Sequence, residues 1–296
     1  MGTYEKRGYL DSGFRLFHLS DIPKQEFEFH YHDFDKIIIF LKGKVNYLIE
    51  GKSYPLAPYD LVLVHHGEIH RPEIDRSVPY ERIIVYLSPG FLTSYQTDDY
   101  DLSECFRHAT EESSNVLRIR ALEKSSLFQT IRNLEHACSH DGFANDLYCQ
   151  VLFLEFMIQL NRASLDHRLD FLKTRQHNEK IITIMGYINN HLSADLSIDS
   201  LAETFYISKY HMMRQFKQET GYTVSHYITS KRLLLARELL SGDAPITRIC
   251  YDCGFKNYST FSRAYKSFFG ESPKSCRAGG LPGRLTGNII NEIVNS

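Results

Sequence analysis

A chain of 296 residues with 34 Lys and Arg against 36 Asp and Glu, formal net charge −2, has room for two domains and is not defined by bulk charge. Its 43% hydrophobic content supplies real cores, while residues 1–11 carry Glu5, Lys6, Arg7 and Asp11 with no apolar segment, so no leader is expected. The longest apolar run, 147–160, is broken by Gln150, Glu155 and Gln159 and is too short to cross a bilayer; six scattered cysteines suit a reducing cytoplasm, and no membrane association is expected.

Residues 14–88 read as β structure. The runs 36–41 and 44–50 are separated by Gly43, Gly51-Lys52 turns the chain toward 61–65, and 80–87 follows Pro79 as the expected last strand. Many short strands with glycine turns indicate a small sandwich or barrel. Phe29-His30-Tyr31-His32 precedes the first strong strand, and Gly67-Glu68-Ile69-His70 follows a later one. Alternate residues of a strand point the same way, so His30 and His32 could share a site with His70. These histidine pairs in a β context resemble a cupin-type barrel. Cupin metal enzymes usually add a glutamate four residues after the second histidine; here that position is Lys36. A cation in place of an anionic ligand argues against metal, although Asp35 keeps the question open. No metal and no other cofactor are therefore expected. A small-molecule pocket using His30, His32, Tyr47, His70 and Arg82 is expected instead, with aromatic faces and polar groups suited to a sugar or a small organic acid. Simple strand-packing histidines, and a solvated edge-strand arginine at Arg82, are the bland alternatives.

From 91 to 190 the pattern turns mostly helical, most clearly at 125–138 and 145–162. In the latter, Leu147, Val151, Leu154 and Ile158 make one stripe, and Leu152, Phe153, Phe156, Met157 and Leu160 make others. One face should pack on its own barrel and the other on a second chain, giving a homodimer, with complete burial inside one subunit as the alternative. Residues 166–180 are charge-rich and read as a linker. Residues 279–296, with Gly279-Gly280 and Pro282-Gly283, stay unassigned, compatible with a disordered tail.

Between 196 and 277 the chain states one structural unit twice. Ser208, Arg214, Phe216 and Gly221 recur as Asn257, Arg263, Tyr265 and Gly270 at a constant offset. Each copy reads as helix, tight turn, helix. Ser197, Ser208 and Asn257 are placed to cap helices, Pro245 suits a first helical position, Gly254 supplies a turn, and Gly221 and Gly270 close the second helices. A longer helix over 223–240 should join the copies. On the first of the two second helices, Met212 and Phe216 face inward while Tyr210, Met213, Arg214 and Lys217 share another face. On the second, Phe261, Tyr265 and Phe268 face inward and Ser259, Arg263 and Lys266 form the outer stripe, flanked by Tyr258 and Ser262. A guanidinium can bond a guanine edge bidentately, and a lysine can meet phosphate, so both faces suit a major groove. Ordinary solvated faces are the alternative for either helix taken alone. Residues 193–278 carry a net +4 and residues 1–192 a net −6, which places the basic half where a nucleic-acid domain is expected. Cys250 and Cys253 are spaced C-x-x-C, but no second pair follows and they fall on a packed helix, so zinc is not expected there.

The run from Ile207 to Arg277, with Arg232, Ala236, Ile249, Gly254-Phe255, Phe261 and Pro273, resembles the double helix-turn-helix domain of the AraC/XylS family; Cys250 departs from the alanine usual after the isoleucine. The resemblance implies an α+β two-domain chain: a cupin-like (jelly-roll) β-barrel and helical dimerisation segment over 1–165 (barrel about 14–88, helices about 91–165), a linker over 166–180, and an all-α domain of two helix-turn-helix motifs joined by a linker helix over 181–278. It implies no enzyme activity, and no phosphate-cradling loop, G-x-S-x-G elbow or H-E-x-x-H helix is present. It further implies base reading by Tyr210, Met213, Arg214, Tyr258, Ser259, Ser262 and Arg263, with double-stranded DNA, RNA polymerase and a small effector, a sugar, as partners, and residues 1–13 as an arm over the pocket. Two alternatives remain: an N-terminal domain that only dimerises or contacts protein, and a cupin metalloenzyme fused to a DNA module.

Overall fold

The computed structural model describes residues 10, 13–119, 122–166, 169–173, 175–176 and 178–279; of these, one compact unit takes the residues up to 49 and from 53 to 175, and the other takes 50–52 and those from 176 onward. The expected arm (1–13) and tail (279–296) lie almost wholly outside the described residues.

The first unit opens with β1 (Phe14–Asp21), β2 (Asp35–Lys42), β3 (Val45–Ile49), β4 (Lys52–Pro55), β5 (Asp60–Val64), β6 (His70–Ile74) and β7 (Tyr80–Leu87). There follow α1 (Pro89–Thr93), α2 (Glu104–Glu111), β8 (Val116–Ile119), a 3-10 turn (Leu122–Lys124), α3 (Ser126–Cys138), α4 (Asn145–Leu165), β9 (Leu169–Phe171) and β10 (Arg175–Gln176). The strands form one sheet in the order β1-β7-β2-β5-β8-β9 and another in the order β10-β4-β3-β6. The sheet-rich architecture is as expected, but β7 is not the last strand: β8 pairs antiparallel with β5, and β9 with β8.

Side-chain alternation separates two cores. Ile38, Phe40, Val62, Val64 and Ile84 of the larger sheet meet Val45, Tyr47, Ile49 and Tyr54 of the smaller one, filling the space between the sheets. Ile37, Ile39, Leu61, Leu63, Ile83 and Val85 point the other way and pack against Phe106 of α2, Ile131 and Leu134 of α3, and Phe153, Phe156 and Met157 of α4. Residues 37–40 are therefore buried on both faces, which explains why the middle of β2 is apolar at four consecutive positions. Ser125 caps α3 by accepting from Phe128 N–H at 3.2 Å, and the Asn145 side chain donates to the carbonyls of Ala137 at 2.9 Å and His140 at 2.7 Å, tying α3 to the start of α4. Among the described residues no helix is long and apolar enough to cross a membrane.

From 178 onward the regular elements of the described chain are all helical: α5 (Glu179–Asn190), α6 (Ile198–Thr204), α7 (Lys209–Thr220), α8 (Val224–Leu239), α9 (Ile246–Asp252), α10 (Tyr258–Phe269) and α11 (Pro273–Gly279). Ser197, Ser208, Thr223 and Asn257 each cap a helix by accepting a backbone N–H with the side-chain oxygen. Gly221 at φ 76° and Gly270 at φ 79° end α7 and α10 in the left-handed conformation. Pro245 stands one place earlier than expected, as the residue before α9 rather than its first. Cys250 and Cys253 are buried in the core that α8, α9 and α10 share, beside Phe261 and Tyr265.

Candidate functional sites: a nucleic-acid interface and a barrel interior

The two helix-turn-helix units repeat in hydrogen bonds as well as in sequence. Ile207 N–H donates to Ala202 O at 3.0 Å, and Phe255 N–H donates to Cys250 O at 3.0 Å. Tyr206 (φ 49°) and Gly254 (φ 81°) each take the left-handed residue of the turn. From α6 to α9 the spacing is 48, and from α7 to α10 it is 49. The second turn is thus one residue longer, the extra residue lying between Phe255 and Asn257.

Only glycine serves at 254. A Cβ there would stand 2.2 Å from Leu192 O and 2.8 Å from the Arg232 guanidinium, whereas tyrosine is tolerated at 206. Arg232, on α8, donates to Leu192 O and Ala194 O, both at 2.8 Å, and so fastens the linker helix to the segment before α6.

With Met212, Phe216 and Thr220 buried on α7, its opposite face presents Tyr210, Met213, Arg214 and Lys217 to solvent. On α10, Phe261 and Tyr265 are buried while Tyr258, Ser259, Arg263 and Lys266 are exposed and Ser262 is half-buried. Arg263 Nε donates to Ser259 O at 3.4 Å, laying the guanidinium stem along its own helix. Sequence reasoning missed Tyr206, which is 92% exposed in the turn leading to α7. An aromatic at a left-handed turn position was the available signal.

In the barrel, His30 and His70 face each other across an antiparallel bridge, with backbone N–H to O distances of 3.1 and 2.9 Å. Their rings are 4.4 Å apart, His32 lies 5.1 Å from His30 and 5.0 Å from His70, and Tyr47 stacks on His70 at 6.1 Å. All four side chains are buried. Burial, and then the charges of His30, Lys36 and His32, hold His70 well below the ordinary histidine range. Burial holds the Tyr47 phenol well above its own range.

Arg82 is neither at an edge nor solvated, which corrects that alternative. β7 lies between β1 and β2, and the guanidinium is buried, paired with Asp21, bonded to Tyr80 O at 2.9 Å and 4.2 Å over the Tyr80 ring. Lys36, which the sequence offered only as an argument against metal, is a buried amine 5.8 Å over the Tyr86 ring. Burial, and then the charge of Arg82, push it down to about 7. Asp35 turns away from the histidine trio. Its Oδ1 accepts from His66 N–H at 2.8 Å, meets His66 Nδ1 at 2.8 Å and lies 3.6 Å from His65 Nδ1. Burial opposes its ionisation, but the hydrogen bonds from His65 and His66 outweigh burial and hold the carboxyl below the usual range.

α4 buries Leu152, Phe153, Phe156, Met157 and Leu160, and leaves Leu147, Val151, Ile158 and Leu165 exposed. A groove of about 730 Å³ runs along that exposed side, lined by Tyr95, Tyr100, Leu154, Ile158 and Leu165 among others.

The helix-turn-helix domain family matches residues 201–279, and the AraC-like ligand binding domain family matches residues 16–157. The HTH-type transcriptional activator RhaS of Escherichia coli O139:H28 (strain E24377A / ETEC) is 26% identical over 263 residues, covering 87% of this chain and 90% of that protein. Among solved structures, the C-terminal domain of AraT, a response regulator from Geobacillus stearothermophilus, is 31% identical over 38% of this chain and 96% of its own, with a TM-score of 0.35. Unsaturated fatty acid bound wild-type ToxT from Vibrio cholerae strain SCE256 is 14% identical over 92% of this chain and 97% of its own, with a TM-score of 0.38.

Proposed function

The chain belongs to the AraC family of DNA-binding transcription regulators, not to an enzyme family, and from that premise we propose a cytoplasmic, homodimeric activator switched by a small effector in the barrel. The observation that carries this reading is the pair of helix-turn-helix units with matched exposed faces. Arg214 and Arg263 read base edges, Lys217 and Lys266 meet phosphate, and Tyr210, Met213, Tyr258, Ser259 and Ser262 complete the contacts. Two segments of major groove about one turn apart, roughly 34 Å, form the site of one chain, and a dimer reads two such sites in a promoter, where it contacts RNA polymerase. Activation follows the relative's printed name, a transcriptional activator.

The effector site is the barrel interior, with His30, His32, Tyr47, His70 and Arg82 as ligand residues and Lys36 added. Aromatic faces beside imidazole acceptors favour a polyhydroxylated molecule such as a sugar. These side chains pack on one another, so an effector must part them. Such repacking gives the ligand different affinities for two states, as regulation requires. The same close packing favours a second reading, in which the barrel only dimerises or contacts protein.

A thermal-shift panel of sugars and organic acids separates the two. A ligand that raises the melting temperature of the wild type but not of His70→Gln supports the effector site, because a ligand bound only by the folded state stabilises it. A flat panel leaves the second reading. Selection of bound DNA from a random pool tests the DNA site: two short conserved blocks about one helical turn apart are expected, and a single block overturns the paired-helix reading.

A further inference from the structure

The turn that leads into α7 carries a side chain its backbone does not favour. Tyr206 sits at φ 49°, in the left-handed region, at the place where the second copy has Gly254 at φ 81°. In both copies that residue's N–H donates to the carbonyl three residues earlier, Glu203 at 3.2 Å and Tyr251 at 2.8 Å. The first copy therefore builds with tyrosine a turn that the second builds with glycine. A side chain there costs stability relative to glycine, because its Cβ crowds the following carbonyl. Packing does not offset that cost: the residue is 92% exposed, and among the described residues its ring has no stacking partner and its hydroxyl no hydrogen bond. Lys180 on α5 donates to the Tyr206 carbonyl at 3.3 Å, which steadies the turn and sets an ammonium group beside it. A strained, solvent-facing aromatic that nothing inside the fold holds points to a contact outside the chain.

We propose that Tyr206 is a further DNA contact, its phenol hydroxyl donating to a phosphate of the duplex at the rim of the groove that α7 enters. The inference rests on reading α7 as a groove helix. In a helix-turn-helix the first helix crosses the sugar-phosphate backbone while the second sets its N-terminal residues against base edges, so the turn between them lies over the groove wall. Tyr206 lies in that turn, two residues before the Ser208 cap, and Tyr210 and Arg214 follow at one-turn spacing on the exposed face of α7. A tyrosine hydroxyl is among the groups that bond phosphate oxygens, and such bonds set register without reading sequence. Gly254, at the equivalent place, has no side chain to donate. The two units are thus alike in their reading helices and unlike in how their turns hold the duplex.

The test uses the full chain and the duplex selected from a random pool, with a scrambled duplex beside it. Tyr206→Phe keeps the backbone and the ring and removes only the donor. It should melt as the wild type does and weaken binding to both duplexes by the same factor, about three- to tenfold, the contribution of one hydrogen bond. The slope of affinity against salt should not change, since an uncharged donor releases no counterion. Tyr206→Gly should melt no lower than the wild type and lose at least as much affinity, so that fold and binding move apart. Replacing phosphates of the selected duplex one at a time by methylphosphonate should reveal a position that weakens the wild type and leaves Tyr206→Phe unaffected. Wild-type binding by Tyr206→Phe, a loss confined to the selected duplex, a lowered melting temperature in Tyr206→Phe, or no phosphate that separates the two proteins overturns the contact. Arg214→Ala, measured in parallel, keeps two failures apart. If it loses base preference while Tyr206→Phe binds as the wild type does, only the phenol contact falls; if both bind as the wild type does, α7 is not a groove helix and both readings fall.

Discussion

Arg214 and Arg263 hold equivalent places on α7 and α10, one turn after the exposed Tyr210 and Ser259. Replacing either by alanine should cost about 1–3 kcal/mol of operator binding and relax preference at a single base position. Lys217→Ala should weaken all sequences alike and lower the slope of affinity against salt by about one ion. Anisotropy titrations against operator and scrambled duplex, at several salt concentrations, distinguish these outcomes; two arginine variants that bind as the wild type does would sink the assignment of reading helices. Asp35 makes a different prediction, one about pH. Its folded carboxyl is held below the usual range, so its contribution is present above about pH 4, where the unfolded carboxyl is ionised, and is lost as pH falls toward the folded value. His65 is lowered by burial but raised further by its bond to Asp35 and the charge of Glu68, so its contribution is present below about pH 6.5 and is lost as pH rises through the folded value. The contribution of this pair should therefore be largest between about pH 4.5 and 6.5, and the stability difference between the wild type and Asp35→Asn should peak there. Asp35→Asn should lose about 1–3 kcal/mol there and show flatter limbs on both sides. An unchanged acid limb in Asp35→Asn would remove Asp35 from the account.

At the scale of elements, what sequence could read followed from local chemistry. Caps at Ser197, Ser208 and Asn257, terminators at Gly221 and Gly270, and the inward set Met212, Phe216, Phe261 and Tyr265 all depend on positions a few residues apart, and the structure places them as expected. The barrel was legible where β-branched runs were long, as in β2 and β7. It was not legible at β8 and β9, which have four and three residues and gain their identity from pairing with β5 and with each other. The histidine cluster could be anticipated because strand alternation joins His30 to His32. The inward turn of Lys36 and the capture of Asp35 by His65 and His66 depend on contacts between strands that no local pattern encodes. Gly254 also belongs at this scale, since its need for glycine comes from Leu192 O and Arg232 as well as from its φ of 81°. Gly270, at φ 79°, has nothing within 4 Å of a built Cβ. Gly270→Ala should thus cost only the left-handed penalty of roughly 1–2 kcal/mol, while Gly254→Ala should cost that and the displacement of the Arg232 clamp. Denaturant melts of the two variants compare them directly, and equal losses would show that the close approach at 254 is not felt.

For the whole molecule, the question is how paired reading heads gain enough affinity from a domain whose net charge is only +4 over 193–278. Counterion release scales with the phosphates neutralised, so a modest excess of cations gives a modest sequence-independent attraction. Joining two chains makes the second binding event intramolecular and multiplies the affinity without new contacts. In the proposed homodimer, α4 is the surface proposed for that junction. Val151 is 52% exposed and Ile158 39%, between Leu147 and Leu165, and the groove beside them is walled by Tyr95, Tyr100 and Leu154. An apolar stripe on a helix, rimmed by such a groove, suits the same stripe of a second copy, because a twofold interface must be complementary to itself. Val151→Glu/Ile158→Glu places charge where the single chain leaves both side chains open, so the fold should lose little stability while the dimer weakens at least a hundredfold. Sedimentation equilibrium should show a monomer at concentrations where the wild type is a dimer. Affinity for a full operator should fall at least tenfold, with affinity for a half-site unchanged, since α7 and α10 are untouched. A variant that still sediments as the wild type does would move the junction to another face, and a loss at the half-site equal to that at the full operator would show that the substitution damaged the reading domain and not the pairing.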